Sequence, residues 1–221
     1  LKVPFFKIAS MDLNNHLLLE KVAKKNKPII LSTGFSTIKE IQDAISCLKK
    51  TNKKIKIALL HCISSYPPSD NEINLNNIVT LRKKFNLPIG FSDHSKGISA
   101  SICSVALGGC VIEKHFTLDN NMKGPDHAAS LEPHELKAMV KAIRNIEVAL
   151  GNGIKKPSKS ELSNLQVVRK SIVAKTAIKK GDTLSAENLA IKRPGKGINP
   201  MRWDEFIGTK SKKDYKEDEL I

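Results

Sequence analysis

Several absences narrow what this chain can be. No apolar run approaches the roughly 20 residues that a bilayer-spanning helix needs, so no membrane partner is expected. The four cysteines, Cys47, Cys62, Cys103 and Cys110, include no Cys-x-x-Cys pair. That spacing argues against a zinc ribbon or a disulfide framework and for reduced, mostly buried thiols. Aromatic residues are only 5% of the chain, too few to interleave with its lysines as a platform for stacked bases. Neither GxGxxG nor GxxxxGK[ST] occurs, so no nucleotide-binding fingerprint is present.

Charge of one sign is abundant. The formal net charge is +15 over 221 residues. The lysines are scattered on helix faces and ends, as in Lys24-Lys25, Lys49-Lys50 and Lys83-Lys84. We read them as a lysine-rich composition, with an anionic small substrate as the next reading and no nucleic acid. Leu1 opens the chain in place of Met, and the strand-like Phe5–Ala9 follows almost at once. This reads as a piece that lacks its true start, with no leader-like run and a cytoplasmic location.

The stretch from Leu87 to Pro133 organises the rest. Two short apolar runs, Leu87–Phe91 and Cys110–Ile112, each end in a polar cluster with a histidine, Ser92-Asp93-His94 and Glu113-Lys114-His115. Between them Ile98–Leu107 has helix length and closes in Gly108-Gly109. Strand, helix and strand make a βαβ unit with parallel neighbours, so both histidines stand at one carboxyl rim. Adjacent strands lie roughly 4.8 Å apart, and two imidazoles at matching strand ends can share a divalent cation while leaving most of its shell open. A single histidine there is usually an ordinary hydrogen-bonded residue. Two in register, beside Asp93, Glu113 and His127, point to a metal site.

The same alternation recurs. Strand-like runs at Phe5–Ala9, Pro28–Leu31, Ile55–Leu60, Pro88–Phe91 and Cys110–Ile112 are each followed by a helical pattern, at Leu13–Lys25, Thr37–Lys50, Leu75–Lys84, Ile98–Leu107 and Pro133–Leu150. Every run closes in polar or small residues. A doubly wound sheet concentrates function near one switch point, whereas a (β/α)8 barrel draws on most strand ends. The chain is therefore α/β, the carboxyl-terminal five βα units of a TIM barrel in residues 1–150. About three preceding units would be needed to close it. Thr37 with Glu40 spells a capping box, and Pro133 marks a helix start. Residues 151–168, rich in lysine and serine, read as a linker. Residues 169–221 read as a small β-rich module with a turn at Lys180-Gly181-Asp182.

Together these segments resemble the sialic acid synthase family, the bacterial N-acetylneuraminate, legionaminate and pseudaminate synthases. The matching residues are Lys7-Ile8-Ala9-Ser10, Pro28 to Gly34, Leu60-His61-Cys62 through Tyr66-Pro67, Gly90 to His94, Glu113 to Phe116, Gly124 to His127 and Ser130 to Pro133. Ile191-Lys192-Arg193-Pro194-Gly195-Lys196-Gly197 is similar to the signature of the family's antifreeze-like (SAF) domain.

The resemblance implies condensation of phosphoenolpyruvate with N-acetylmannosamine or a related 2,4-diacetamido hexose, with phosphate released. It implies a divalent metal, Mn²⁺ first and Mg²⁺ or Co²⁺ as alternatives, held by His94 and His115. Lys7, Ser10, Ser32 and Ser92 would hold phosphoenolpyruvate, while Ser64, Tyr66 and Asp126 would contact the sugar. Asp12, where several relatives carry glutamate, would be an acid–base or orienting group. Arg193 would reach the neighbouring subunit's site in a domain-swapped homodimer. The N-acetylneuraminate or legionaminate branch is expected over the pseudaminate one, and residues 1–221 alone are expected to be inactive. Rival readings are a synthase of the 3-deoxy-octulosonate-phosphate type, against which the segment around Arg193 argues, and a truncated, non-catalytic product.

Overall fold

The computed structural model describes residues 2–221. They divide into two compact units, one ending at Asn152 and one running from Gly153 to Ile221.

The first unit is a parallel sheet of five strands in sequence order: β1 (Phe6–Ile8), β2 (Ile29–Ser32), β3 (Ile57–Cys62), β4 (Ile89–Asp93) and β5 (Ile112–Lys114). Each strand is followed by a helix: α1 (His16–Ala23), α2 (Ile38–Thr51), α3 (Asn76–Phe85), α4 (Ser99–Ala106) and α5 (Pro133–Ala149). Five consecutive βα units with each strand beside the next are part of a barrel, as the strand ends foretold.

Side chains alternate across a strand, and here the alternation sorts the sheet into two faces. Ile8, Ile29, Leu31, Ile57, Leu59, Ile89 and Phe91 point to the helices and form one buried cluster with Leu19, Ile45, Leu48 and Ile78. The residues between them, Lys7, Ser32, Leu60, Cys62, Gly90, Ser92 and Glu113, occupy the opposite face. The register keeps them in line, pairing Ser32 with Leu60, Cys62 with Ser92 and Ser92 with Glu113. Gly90 is required there, because a Cβ would lie 2.3 Å from the Val111 carbonyl oxygen.

Local signals set the helix ends. The Thr37 side chain accepts from the Glu40 amide while the Glu40 carboxylate accepts from the Thr37 amide, as the capping box requires. Pro133 begins α5, whose Met139 and Ile143 pack with Val105 of α4. No helix among the described residues is long and apolar enough to cross a membrane.

In the second unit, β6 (Ser171–Ala174) and β7 (Leu189–Lys192) pair antiparallel. Isolated antiparallel bridges join Val173 to Leu220, Ile178 to Tyr215 and Thr183 to Lys210. Ile172, Ala174, Ile178, Leu184 and Leu189 form the unit's core, and one short helix, α7 (Trp203–Phe206), follows β7 and lies against it. Within residues 151–168, read as a linker, Lys159–Val168 is a helix, α6. Its start is fixed by Ser158 and Glu161, which form a second Ser-x-x-Glu capping box, and polar composition hid it. All four cysteines are free, but only Cys62 is buried, and Cys103 and Cys110 are exposed.

Candidate active site at the strand ends

At the carboxyl ends of the strands lies a cleft of about 280 Å³, lined among others by Lys7, Ser10, Ser32, Ser64, Tyr66, Ser92, His94 and His115. Eight of the eleven expected site residues thus come together. A larger hollow of about 370 Å³ lies behind it, between Thr37 and Leu81, and shares only Phe35 and Cys62 with the cleft.

One end of the cleft is suited to an anion. The Lys7 ammonium lies 3.3 Å from Glu113, with both side chains partly exposed, and Ser92 Oγ donates to Glu113 Oε1 at 2.6 Å. Gly34 donates its amide to Ser10 Oγ at 2.9 Å. That approach needs glycine, since a Cβ at Gly34 would sit 2.4 Å from Ser64 Oγ. Ser32 is only 2% exposed, yet its Oγ has no hydrogen-bond partner. A buried hydroxyl left unpaired costs about 1–3 kcal/mol, and here it faces a cleft that also holds an ammonium.

The other end is aromatic. The His94 and His115 rings stand edge to face with centroids 5.3 Å apart, and the Tyr66 ring covers His94 at 4.1 Å. His94 Nδ1 lies 2.8 Å from the Ile63 carbonyl oxygen. A carbonyl only accepts, so Nδ1 carries the proton and Nε2 keeps its lone pair. His115 Nδ1 lies 3.6 Å from Asp126 Oδ2. Among the described residues no group of three histidine, cysteine, aspartate or glutamate side chains is gathered to hold a metal. The chain offers two imidazoles, one already in the ligating tautomer, which fits a divalent cation whose remaining shell is filled by substrate and water.

Cys62 stands between the two ends, its Sγ 3.9 Å from His94 Nδ1 and 4.0 Å from Ser64 Oγ. Burial, the largest influence, pushes its pKa up, but contacts from His94, Ser10 and Ser92 outweigh it and lower the pKa. For His94, burial likewise opposes the charged form, and the bonds to Cys62 and the Ile63 carbonyl more than offset it. Burial first, then the negative groups around it, raises the Tyr66 phenol.

Three expected residues lie elsewhere. Asp12 is outside the cleft lining, in a one-turn helix at Ser10–Asp12, and accepts from the Asn15 side chain at 3.2 Å. Asp126 is not in the lining itself but touches it through His115. Arg193 belongs to the second unit, where its Nε donates to the Val168 carbonyl at 3.2 Å. Conversely, Glu113 and Cys62 line the cleft without having been picked as site residues. The period of two was their signal, because Glu113 must share a face with His115, and Cys62 with Leu60.

The comparisons with known proteins bear on the fold and the family. The NeuB family pattern matches residues 1–155 and the SAF domain pattern residues 169–221. The whole chain is 54% identical to the N,N'-diacetyllegionaminic acid synthase of Campylobacter jejuni, of which it covers 66%. Over 95% of its length it is 41% identical to the N,N'-diacetyllegionaminic acid synthase of Legionella pneumophila, covering 60% of that protein. The chain therefore spans somewhat less than two thirds of the relatives it matches. Among solved structures, N-acetylneuraminic acid synthetase from Leptospira borgpetersenii superposes with a TM-score of 0.69 at 44% identity, over 74% of this chain and 56% of that one. With five barrel units, a two-faced sheet and these matches, the chain belongs to the NeuB family and carries a SAF domain at its carboxyl end.

Proposed function

We propose that this chain is the part of a nonulosonic acid synthase that holds phosphoenolpyruvate and a divalent cation, and that the complete protein condenses phosphoenolpyruvate with an N-acetylated amino sugar. The carrying observation is Ser32 Oγ, buried and unpaired in a cleft with the Lys7 ammonium on one side and two imidazoles on the other. An anion satisfies the hydroxyl and neutralises the lysine together.

In this reading Lys7, Ser10, Ser32 and Ser92 bind the phosphate and carboxylate, and Glu113 orients Lys7 and Ser92. His94 and His115 hold the cation, Mn²⁺ by preference, which when bound polarises the sugar's open-chain aldehyde as a Lewis acid. The enol carbon held by the serines then attacks that aldehyde. Water adds to the resulting cationic carbon, and the phosphate leaves with its bridging oxygen, so that carbon becomes a ketone. Tyr66, Ser64 and Asp126 face the sugar. Asp12, engaged with Asn15, receives no role in the cleft.

The identity to the legionaminic acid synthases supports a 2,4-diacetamido hexose as acceptor. The reading includes a cytoplasmic homodimer that exchanges its SAF domain and brings Arg193 of one subunit to the cleft of the other. Residues 1–221 by themselves are expected to be inactive.

The test is phosphate release from phosphoenolpyruvate by the full-length protein with Mn²⁺, comparing N-acetylmannosamine with 2,4-diacetamido-trideoxy hexoses. Release that depends on one sugar and disappears in His115→Ala supports the reading. A folded full-length protein that releases no phosphate with any of them refutes it.

A further inference from the structure

The two histidines end matching triplets, Ser92-Asp93-His94 and Glu113-Lys114-His115, and the register makes the triplets rungs of one ladder. Ser92 and Glu113 meet on the cleft face at 2.6 Å. One residue on, Asp93 and Lys114 are direct partners on the helix face, 3.0 Å apart, with side chains 0% and 4% exposed. One residue further, His94 and His115 return to the cleft.

The middle rung is a buried ion pair at the carboxyl end of a strand face whose other side chains are mostly apolar. Asp93 Oδ1 accepts from the Ser95 amide at 2.8 Å and from Ser95 Oγ at 2.6 Å, and Oδ2 accepts from Ser101 Oγ of α4 at 2.6 Å. Lys114 Nζ donates in turn to the Ser95 carbonyl. His94 is thus clamped on both sides, through Asp93 before it and Ser95 after it, and the same lysine immediately precedes His115. A charged pair is a poor way to fill an apolar layer, since hydrophobic groups of similar volume often serve stability as well or better. It fixes direction and distance, which apolar contacts do not.

We infer that the Asp93–Lys114 pair is the positioning device of the site: it locks the ends of β4 and β5 so that His94 and His115 stand at the separation a shared divalent cation needs. This rests on the metal role proposed above. The pair touches neither substrate nor cation and acts through the histidines, as groups that orient metal ligands do elsewhere, where their loss typically costs 10–100-fold in metal affinity.

Two variants of the full-length protein test it: Lys114→Met, which strands the aspartate, and the double variant Asp93→Asn with Lys114→Gln, which removes both charges while keeping shape and hydrogen-bonding groups. Thermal unfolding identifies the folded variants. Mn²⁺ affinity is read from the electron paramagnetic resonance of the free ion, and the ring resonances of the six histidines are read without metal. The expected result for the folded double variant is Mn²⁺ affinity lower by about 10–100-fold, with the His94 and His115 resonances moved and those of His16, His61, His127 and His134 unchanged. Wild-type affinity and unmoved His94 and His115 resonances in that variant overturn the inference. If the unaltered protein itself takes up no Mn²⁺, the metal reading fails, and the ring resonances alone decide whether the pair positions the histidines.

Discussion

The two faces of the five-stranded sheet carry similar chemistry and treat it oppositely. On the helix face, His61 gives its Nε2 to the Ile73 carbonyl at 2.7 Å and stacks on Phe91, and Asp93 is satisfied by Lys114, Ser95 and Ser101. On the cleft face, Ser32 Oγ has no partner, and the Lys7–Glu113 pair is 29% and 40% exposed. A polar group saturated by its own chain acts within the fold, as a strut or as a positioning pair. One left unsaturated in a cleft has its hydrogen-bonding capacity open to a ligand.

Four substitutions test that distinction, and the largest effect belongs to the saturated face. Lys114→Ala leaves the Asp93 carboxylate buried without its cation and should lower unfolding stability by about 3–5 kcal/mol, measured by urea denaturation. Next comes Ser32→Ala, which should leave stability unchanged or slightly improved. It should weaken binding of phosphoenolpyruvate by about 1.5–3 kcal/mol, the worth of a hydrogen bond to a charged group, measured by calorimetric titration. A loss of stability without a loss of affinity would move Ser32 to the structural side.

His61 gives a smaller, pH-dependent effect. Burial holds its pKa below the usual value, against the Ile73 carbonyl, which raises it. The unfolded chain therefore takes up this proton first as pH falls below about 6.5, so stability rises with pH across that window and is lost below it. His61→Gln should flatten the slope of stability between pH 7.5 and 5, and an unchanged slope would show that another group titrates there. The smallest effect is expected from Glu113→Gln. This partly exposed pair should contribute no more than about 1 kcal/mol to stability, while substrate binding changes because the acceptor shared by Lys7 and Ser92 loses its negative charge.

Much of this was legible beforehand, because apolar runs of three to six residues at regular intervals have few other meanings. Each strand fell where the sequence put it, to within two or three residues. The strands run on past their apolar runs, β3 into His61-Cys62, β4 into Ser92-Asp93 and β5 into Glu113-Lys114, where polarity had suggested that they were over. Ending the strands at the apolar runs hides the three-rung ladder, so Asp93 and Glu113 stand beside the histidines in the sequence without their partners Lys114 and Ser92. Asp12 stands just past β1, in the turn at Ser10–Asp12 and outside the lining of the cleft, where its carboxylate accepts from Asn15. In the second unit, α6 escaped notice because its apolar residues Leu162, Leu165 and Val168 are diluted by serine and lysine, although Ser158 and Glu161 spelled its cap.

The most direct test of the account is anomalous X-ray scattering from crystals of the full-length protein grown with Mn²⁺. The account predicts one strong peak between the imidazoles of His94 and His115, on the side of His94 Nε2, with Ser32 Oγ turned toward an anion when phosphoenolpyruvate is added. A peak elsewhere, or none between these two rings in a protein that binds phosphoenolpyruvate, would contradict it.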